Sequence, residues 1–273
     1  MTSPHIPDGA GIPDGAGTGP SGTGPSGAGT HYSAPAVAGI ADTADRWDAV
    51  VARVAAACER AGRDPAEVEI LAAVKSQTPE SVVAALRAGC CVIGQNKVQE
   101  LAATLPEIRE AWQGPLEVHM IGTLQKNKVN AAMRLVDCVQ SLERLDIAQK
   151  MSSIAVRRER PLDVFVQVNA SFEETKGGVD PMTAVDFAAQ VAALEGLRLR
   201  GLMTIGANSD DPGIVRASLQ RMAQLSEALV ESRAPGTEDA REISMGMSGD
   251  LDEAIAAGST MVRIGTAIFG RRY

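Results

Sequence analysis

From residue 68 to residue 264 the sequence keeps returning to one pattern: a short apolar run, a polar or glycine-bearing turn, then a stretch with helical spacing. Apolar runs fall at 68–74, 92–93, 118–121, 138–139, 164–168, 199–203, 242–244 and 261–264. Helical stretches lie between them at 79–88, 97–105, 125–135, 142–156, 184–194, 213–230 and 251–257. A further amphipathic helix is expected first, at 42–61, where Trp47, Val50, Val51, Val54 and Cys58 follow a helical period and Gly62 ends it. Strands this short, with little alternation, suit a parallel sheet buried on both faces, and parallel neighbours need a right-handed crossover between them. Eight such units close into a (β/α)8 TIM barrel or lie open as a doubly wound sheet. An open sheet gathers its binding loops at one switch point, whereas here polar and glycine-rich signals follow nearly every strand. The expected fold class is therefore α/β, a single closed (β/α)8 barrel.

That barrel takes up residues 42–273. Residues 1–41 hold two near copies of Ile-Pro-Asp-Gly-Ala-Gly and a run of Thr, Gly, Pro and Ser, with little that is apolar and large enough to bury. A disordered Gly/Pro/Ser-rich N-terminal tail is expected there, because no hydrophobic gain offsets the entropy of ordering it. It lacks the basic start and apolar core of a targeting peptide. The net charge of −8 argues against a nucleic-acid partner while leaving room for one local phosphate site. No apolar run approaches the roughly 20 residues that span a bilayer, so no membrane partner is expected. Cys58, Cys90, Cys91 and Cys138 have no metal-ligand spacing and, with no secretion signal, read as reduced thiols of a cytoplasmic protein.

In a parallel barrel the chemistry sits on the loops leaving the carboxyl ends of the strands. Lys75 stands at the end of the first strand, where it serves as a phosphate clamp, a structural ion-pair partner, or an amine for a Schiff base with an aldehyde. Asn96 follows the second strand and either orients a ligand or caps the next helix. His119 lies within the third strand with no metal-ligand neighbour and reads as a hydrogen-bonded core histidine. The polar stretch from Asn169 to Gly178 is a candidate lid, and Met203 is either core or a wall against a flat ligand. Near the end of the chain, Met247 and Ser248 follow the seventh strand, and Gly265 and Thr266 follow the eighth. Those two loops are neighbours in a barrel, so their hydroxyls and N–H groups converge on a phosphate. Arg263 alternates with Val262 and Ile264 and points into the barrel, where a heteroaromatic ligand or a carboxylate would explain it. A first-strand lysine together with a last-strand glycine loop makes pyridoxal 5'-phosphate (PLP) the favoured ligand.

Seven separated motifs carry a resemblance to the single-domain PLP homeostasis proteins, a family related to the N-terminal domain of alanine racemase. They are Lys75 with Pro79, G-x-N-x-V-Q-E at 94–100, H-x-I-G-x-L-Q-x-N-K at 119–128, Q-V-N-x-S-x-E-x-x-K-x-G at 167–178, GLMTIG at 201–206, and the terminal SMGMS and GSTMVRIGTAIFG stretches. The resemblance implies PLP held as a Schiff base on Lys75, its phosphate gripped by Ser248, Gly265 and Thr266, and Met247 lining that loop. It places Arg263 at the pyridine nitrogen, and Asn96 and Met203 along the pocket. It implies a role in intracellular vitamin B6 homeostasis and PLP delivery without established turnover, with transient contact with PLP-dependent apoenzymes. Gln95, Val118, Leu219 and Gly249 depart from the family's usual acidic residue, Trp, Phe and Asp. The alternative is a PLP-dependent amino-acid racemase. Such enzymes add a β-rich domain that supplies a tyrosine as second base; here the tyrosines are Tyr32, in the tail, and Tyr273, the last residue. A carrier is thus expected, and a monomer, since the racemases' dimer-forming domain has no counterpart.

Overall fold

Eight parallel strands pair in sequence order and close on themselves: β1 (Glu69–Ala73), β2 (Val92–Gln95), β3 (Glu117–Met120), β4 (Cys138–Leu142), β5 (Leu162–Gln167), β6 (Leu197–Met203), β7 (Glu242–Ser244) and β8 (Met261–Ile264). Closure joins β1 to β8, with Leu71 opposite Arg263 and Ala72 opposite Ile264. The computed structural model describes residues 40–270. Of the tail expected at 1–41, residues 1–39, with Tyr32, lie outside them, as does the terminal Tyr273, and the first helix begins at Ile40, two residues before its expected start. The closed parallel barrel with alternating helices is the architecture the strand pattern predicts.

The helices are α1 (Ile40–Ala61), α2 (Pro79–Arg87), α3 (Val98–Ala111), α4 (Val129–Ala132), α5 (Leu145–Arg157), α6 (Ala184–Ala192), α7 (Pro212–Glu231), α8 (Leu251–Ala256) and α9 (Thr266–Phe269). Proline opens α2 and α7, where its missing N–H costs nothing, and Thr78 and Asp211 cap those helices from their side chains. The first helix buries Trp47, Val50, Val54 and Cys58 and packs on α2, α8 and α9, so it shields the β8–β1 seam of the barrel.

Several boundaries differ from the sequence-based expectation for identifiable reasons. Helix α3 runs past the expected end at residue 105 and through Pro106, with Leu105 and Ile108 on either side of the proline both buried. The helix expected at 125–135 shrinks to the four residues of α4. Strand β4 continues through Gln140 and Ser141 to Leu142, which sequence alone assigns to a turn and the next helix. Strand β5 runs from Leu162 to Gln167, so it starts before the apolar run expected at 164–168 and takes in Asp163.

Asp163 is only 6% exposed yet ionic. Its Oδ1 accepts from Arg198 Nε at 2.6 Å, and its Oδ2 accepts from Arg198 Nη2 at 2.7 Å and Arg200 Nη1 at 2.6 Å. Arg200 Nε donates to Glu242 at 2.6 Å. Burial alone would raise the Asp163 pKa; the hydrogen bonds and charges of the two arginines overcome it and hold the carboxyl below its ordinary value. This ionic network spans the amino ends of β5, β6 and β7, opposite the loops that carry the site. Gly201 lets β6 and β7 approach there: its φ is +156°, and a Cβ would stand 1.8 Å from the carbonyl oxygen of Glu242.

The main apolar core lies between the sheet and the helices. Residues facing the lumen form two small separate clusters, one of Leu71, Val92 and Met261, the other of Cys138, Phe165 and Met203. Buried polar side chains, among them His119, Gln140, Ser244 and Arg263, share the barrel interior with them.

Candidate functional site

A cavity of about 690 Å³ opens at the carboxyl ends of the strands. Lys75, beyond the end of β1, and Asn96, just after β2, lie along it. Met247 and Ser248 approach from the loop after β7, Arg263 from within β8, and Gly265 and Thr266 from the turn into α9. These residues are separated by up to 191 positions in sequence and meet because closure makes β1 and β8 partners: Ala72 is opposite Ile264, so Lys75 and Thr266 each emerge a few residues beyond a paired position. Gly265 fits against the end of β1, where an added Cβ would sit 3.2 Å from the carbonyl oxygen of Ala73.

Met203 stands apart from the other expected residues. It ends β6 but is 1% exposed and packs with Cys138 and Phe165 inside the barrel, away from the cavity lining. Its neighbour Ile205, 40% exposed, lines the cavity in its place, as does Gln77. Ile205 had a usable signal in sequence, being an apolar residue beyond the end of its strand and too close to the next loop to join the core. Gln77 had none.

Each wall is fixed by local structure. The Gln95 side chain, 2% exposed, accepts from the backbone N–H of Asn96 at 2.7 Å, a turn-like bond that sets the start of the β2 loop. Gly122 permits the next loop to lie on this one; a Cβ there would come 2.3 Å from the Asn96 carbonyl oxygen. After β7, Gly246 has φ +94° and Asp250 accepts from the Met247 N–H at 2.7 Å. From outside, Arg53 on α1 donates to the Ser248 carbonyl oxygen at 2.9 Å and to Asp252 at 2.8 Å. The hydrogen bonds from Arg53 and Arg60 hold the Asp252 carboxyl below its ordinary pKa.

Arg263 is the buried cation of the site. Its Nη1 donates to Ser244 Oγ at 2.8 Å and its Nη2 to the Thr204 carbonyl oxygen at 2.7 Å. Burial pulls its pKa from 12.5 down to about 10, opposed by the charge of Asp250. It remains charged at neutral pH and is available to a ligand from the cavity side.

The stretch read as a lid is tied down. Asn169 donates to the Glu173 carbonyl oxygen at 2.8 Å, Lys176 pairs with Glu173 at 2.7 Å, and a Cβ at Gly178 would meet the Asn169 nitrogen at 2.5 Å. His119 is 2% exposed and hydrogen-bonded on both ring nitrogens, as expected of a core histidine. No group of three metal-ligating side chains occurs among the described residues.

An amine, a guanidinium and two hydroxyl-bearing loops around one barrel mouth define a class, the barrels of the alanine racemase N-terminal-domain type, and the model of that family, "Alanine racemase, N-terminal domain", matches residues 46–272. Within that class the chain belongs to the pyridoxal phosphate homeostasis protein family. The Vibrio alginolyticus pyridoxal phosphate homeostasis protein is 39% identical over 215 residues, 78% of this chain and 91% of that one. A solved structure of an unknown protein from Bifidobacterium adolescentis superposes with a TM-score of 0.81 at 38% identity, covering 84% of this chain and 95% of that one. PipY of Synechococcus elongatus, solved with PLP bound, gives a TM-score of 0.71 at 27% identity over 84% of this chain and all of the other.

Proposed function

We propose that this protein holds pyridoxal 5'-phosphate in the mouth cavity and serves intracellular vitamin B6 homeostasis as a carrier. The observation that carries the reading is the meeting of Lys75, Arg263, Ser248 and Thr266 around one cavity of about 690 Å³. The naming of the relatives and the PLP bound to PipY support it. When bound, the cofactor brings an aldehyde that condenses with a primary amine and a pyridine ring that withdraws electrons from attached carbon. Lys75 supplies the amine. The hydroxyls of Ser248 and Thr266, with the backbone N–H groups at Gly265 and Thr266, take the phosphate, and Asn96 and Met247 line the walls. Arg263 faces the ring nitrogen, and its positive charge opposes protonation there. A ring kept unprotonated is a weaker electron sink, which suits storage better than carbanion chemistry. We assign no turnover to the protein, and place it in the cytoplasm as a monomer that meets PLP-dependent apoenzymes transiently. Among the described residues no helix is long and apolar enough to cross a membrane.

The test is to incubate the purified protein with PLP, remove the excess, and record its visible absorption. The wild type turns yellow and Lys75→Ala does not. A colourless wild type overturns the assignment, and interconversion of D- and L-alanine by the loaded protein overturns the absence of turnover.

A further inference from the structure

The site's guanidinium is joined to the far end of the barrel by an unbroken line of side chains. Arg263 Nη1 lies 2.8 Å from Ser244 Oγ, and Ser244 Oγ lies 2.7 Å from Gln140 Oε1. Gln140 Nε2 is 2.7 Å from His119 Nδ1, and His119 Nε2 is 2.8 Å from Glu117 Oε1. Four strands contribute: β8, β7, β4 and β3. Ser244 and Gln140 are 0% exposed and His119 is 2% exposed, whereas Glu117, the first residue of β3, keeps 39% of its side chain in solvent.

We propose that His119, Gln140 and Ser244 form a one-way hydrogen-bond relay through the barrel lumen that positions Arg263 at the cofactor cavity and couples it to the carboxylate of Glu117 at the opposite end. This rests on the cofactor assignment above for its consequence, though not for its geometry.

The direction of every link follows from what each group can do. A guanidinium only donates, so Ser244 Oγ accepts from Arg263 and must send its own proton elsewhere. The Gln140 carbonyl oxygen accepts that hydrogen bond. The Gln140 amide nitrogen then points the other way, where it donates to His119 Nδ1 and to Met261 Sδ at 3.0 Å. An accepting Nδ1 leaves the imidazole proton on Nε2, and the Glu117 carboxylate receives it. The hydrogen bond from His119 holds the Glu117 carboxyl below its ordinary pKa, with Arg200 acting in the same sense and Asp163 against it.

With the ring proton on Nε2, turning the Gln140 amide over would set its oxygen against the Nδ1 lone pair of His119 and the thioether of Met261, and its NH2 against Ser244, leaving the serine proton without an acceptor. Such a buried unpaired group costs about 1–3 kcal/mol, which favours the arrangement described and ties it to the Nε2 tautomer. That arrangement turns a lone pair of Ser244 Oγ toward Arg263, whose other terminal nitrogen donates to the Thr204 carbonyl. His119, Gln140 and Ser244 do not line the cavity, and act on the cofactor through Arg263 alone.

Two measurements test the relay. The first uses cofactor-free protein: 15N NMR of the His119 imidazole is expected to show the proton on Nε2, with the Nδ1 resonance displaced in Gln140→Leu. The second is PLP titration of wild type, Gln140→Leu, Ser244→Ala, Ser244→Thr and Glu117→Leu, alongside thermal unfolding of each cofactor-free protein. Ser244→Ala removes a charge-assisted bond at Arg263, and Gln140→Leu removes the acceptor that turns the Ser244 hydroxyl toward it; each is expected to raise the PLP dissociation constant about tenfold. Ser244→Thr, which keeps the hydroxyl, restores binding, and Glu117→Leu moves the visible absorption maximum although it lies at the other end of the barrel. Ser244→Ala removes one oxygen and keeps the test open if Gln140→Leu does not fold. A wild-type protein with the proton on Nδ1 overturns the relay whether or not PLP binds. Unchanged affinity and absorption maximum in the folded variants also overturn it. Failure of the wild type to take up PLP sinks the proposed function and leaves the imidazole measurement to decide the relay.

Discussion

Arg53 Nη1 donates to the carbonyl oxygen of Ser248 at 2.9 Å, joining a helix that precedes the barrel to the loop after its seventh strand, 195 positions away. The same guanidinium reaches Asp252 in the first turn of α8 at 2.8 Å. Helix α1 therefore does more than cover the β8–β1 seam: it holds one of the two loops assigned to the phosphate.

Arg53→Ala is expected to weaken PLP binding several-fold. Both partners are more than a third exposed, so the stability loss is small, about 0.5–1 kcal/mol. Denaturant unfolding and PLP titration of the same preparation separate the two effects. Equal PLP affinity in wild type and variant would show that the Ser248 loop holds its shape without α1.

The grip itself should be divided between the loops. Ser248→Ala and Thr266→Ala are each expected to cost about 1–3 kcal/mol of PLP affinity, roughly tenfold or more, because a hydroxyl on a bound phosphate makes a charge-assisted bond. Lys75→Ala removes the yellow colour but leaves the phosphate contacts, so the variant should still bind inorganic phosphate with the affinity of the wild type. Competition between phosphate and PLP checks this.

Asp163 gives a stability prediction with a defined pH dependence. Its folded pKa lies below the ordinary 3.8, so its contribution is present above that value and is lost as pH falls through the folded one. Asp163→Asn should cost about 2–4 kcal/mol at pH 7, since Arg200 would keep only Glu242 in a half-buried setting. The gap between variant and wild type should close below pH 3.8, which denaturant titrations at both pH values will show. A gap that stays constant into the acid range would mean that the carboxylate is not what the two arginines stabilise.

The parts of this molecule legible in the sequence are those governed by periodicity. The order of strands and helices, the closure into a barrel, and the positions of Lys75, Ser248 and Thr266 at strand ends all follow from apolar runs and the turns after them. What stayed hidden depends on contacts between distant strands. Gln140 reads as part of a turn because a glutamine in a two-residue apolar run looks like its end; only the pairing of β4 with β5 carries the strand on to Leu142. Asp163 falls outside the expected strand at 164–168 because its partners Arg198 and Arg200 are on another strand. Met203 reads equally as core or wall, and the choice is made by Phe165 and Cys138, which no local pattern connects to it.

Two glycines near the cavity mark the difference between a packed and an open backbone. At Gly122 an added Cβ would lie 2.3 Å from the Asn96 carbonyl oxygen, and the Cα and carbonyl carbon of Asn96 are within 2.9 Å. All three are backbone atoms of the neighbouring loop and cannot swing aside, so Gly122→Ala must push the β3 loop off the β2 loop. A loss of about 2–4 kcal/mol is expected from this forced displacement, with weaker PLP binding as Asn96 moves. At Gly249, which does line the cavity, nothing lies within 4 Å of an added Cβ. Gly249→Ala should therefore unfold within about 0.5 kcal/mol of the wild type. Measuring both by chemical denaturation compares two substitutions of identical chemistry at loops beside one cavity. Similar losses at the two sites would show that backbone entropy, and not the contact between the two loops, governs the first.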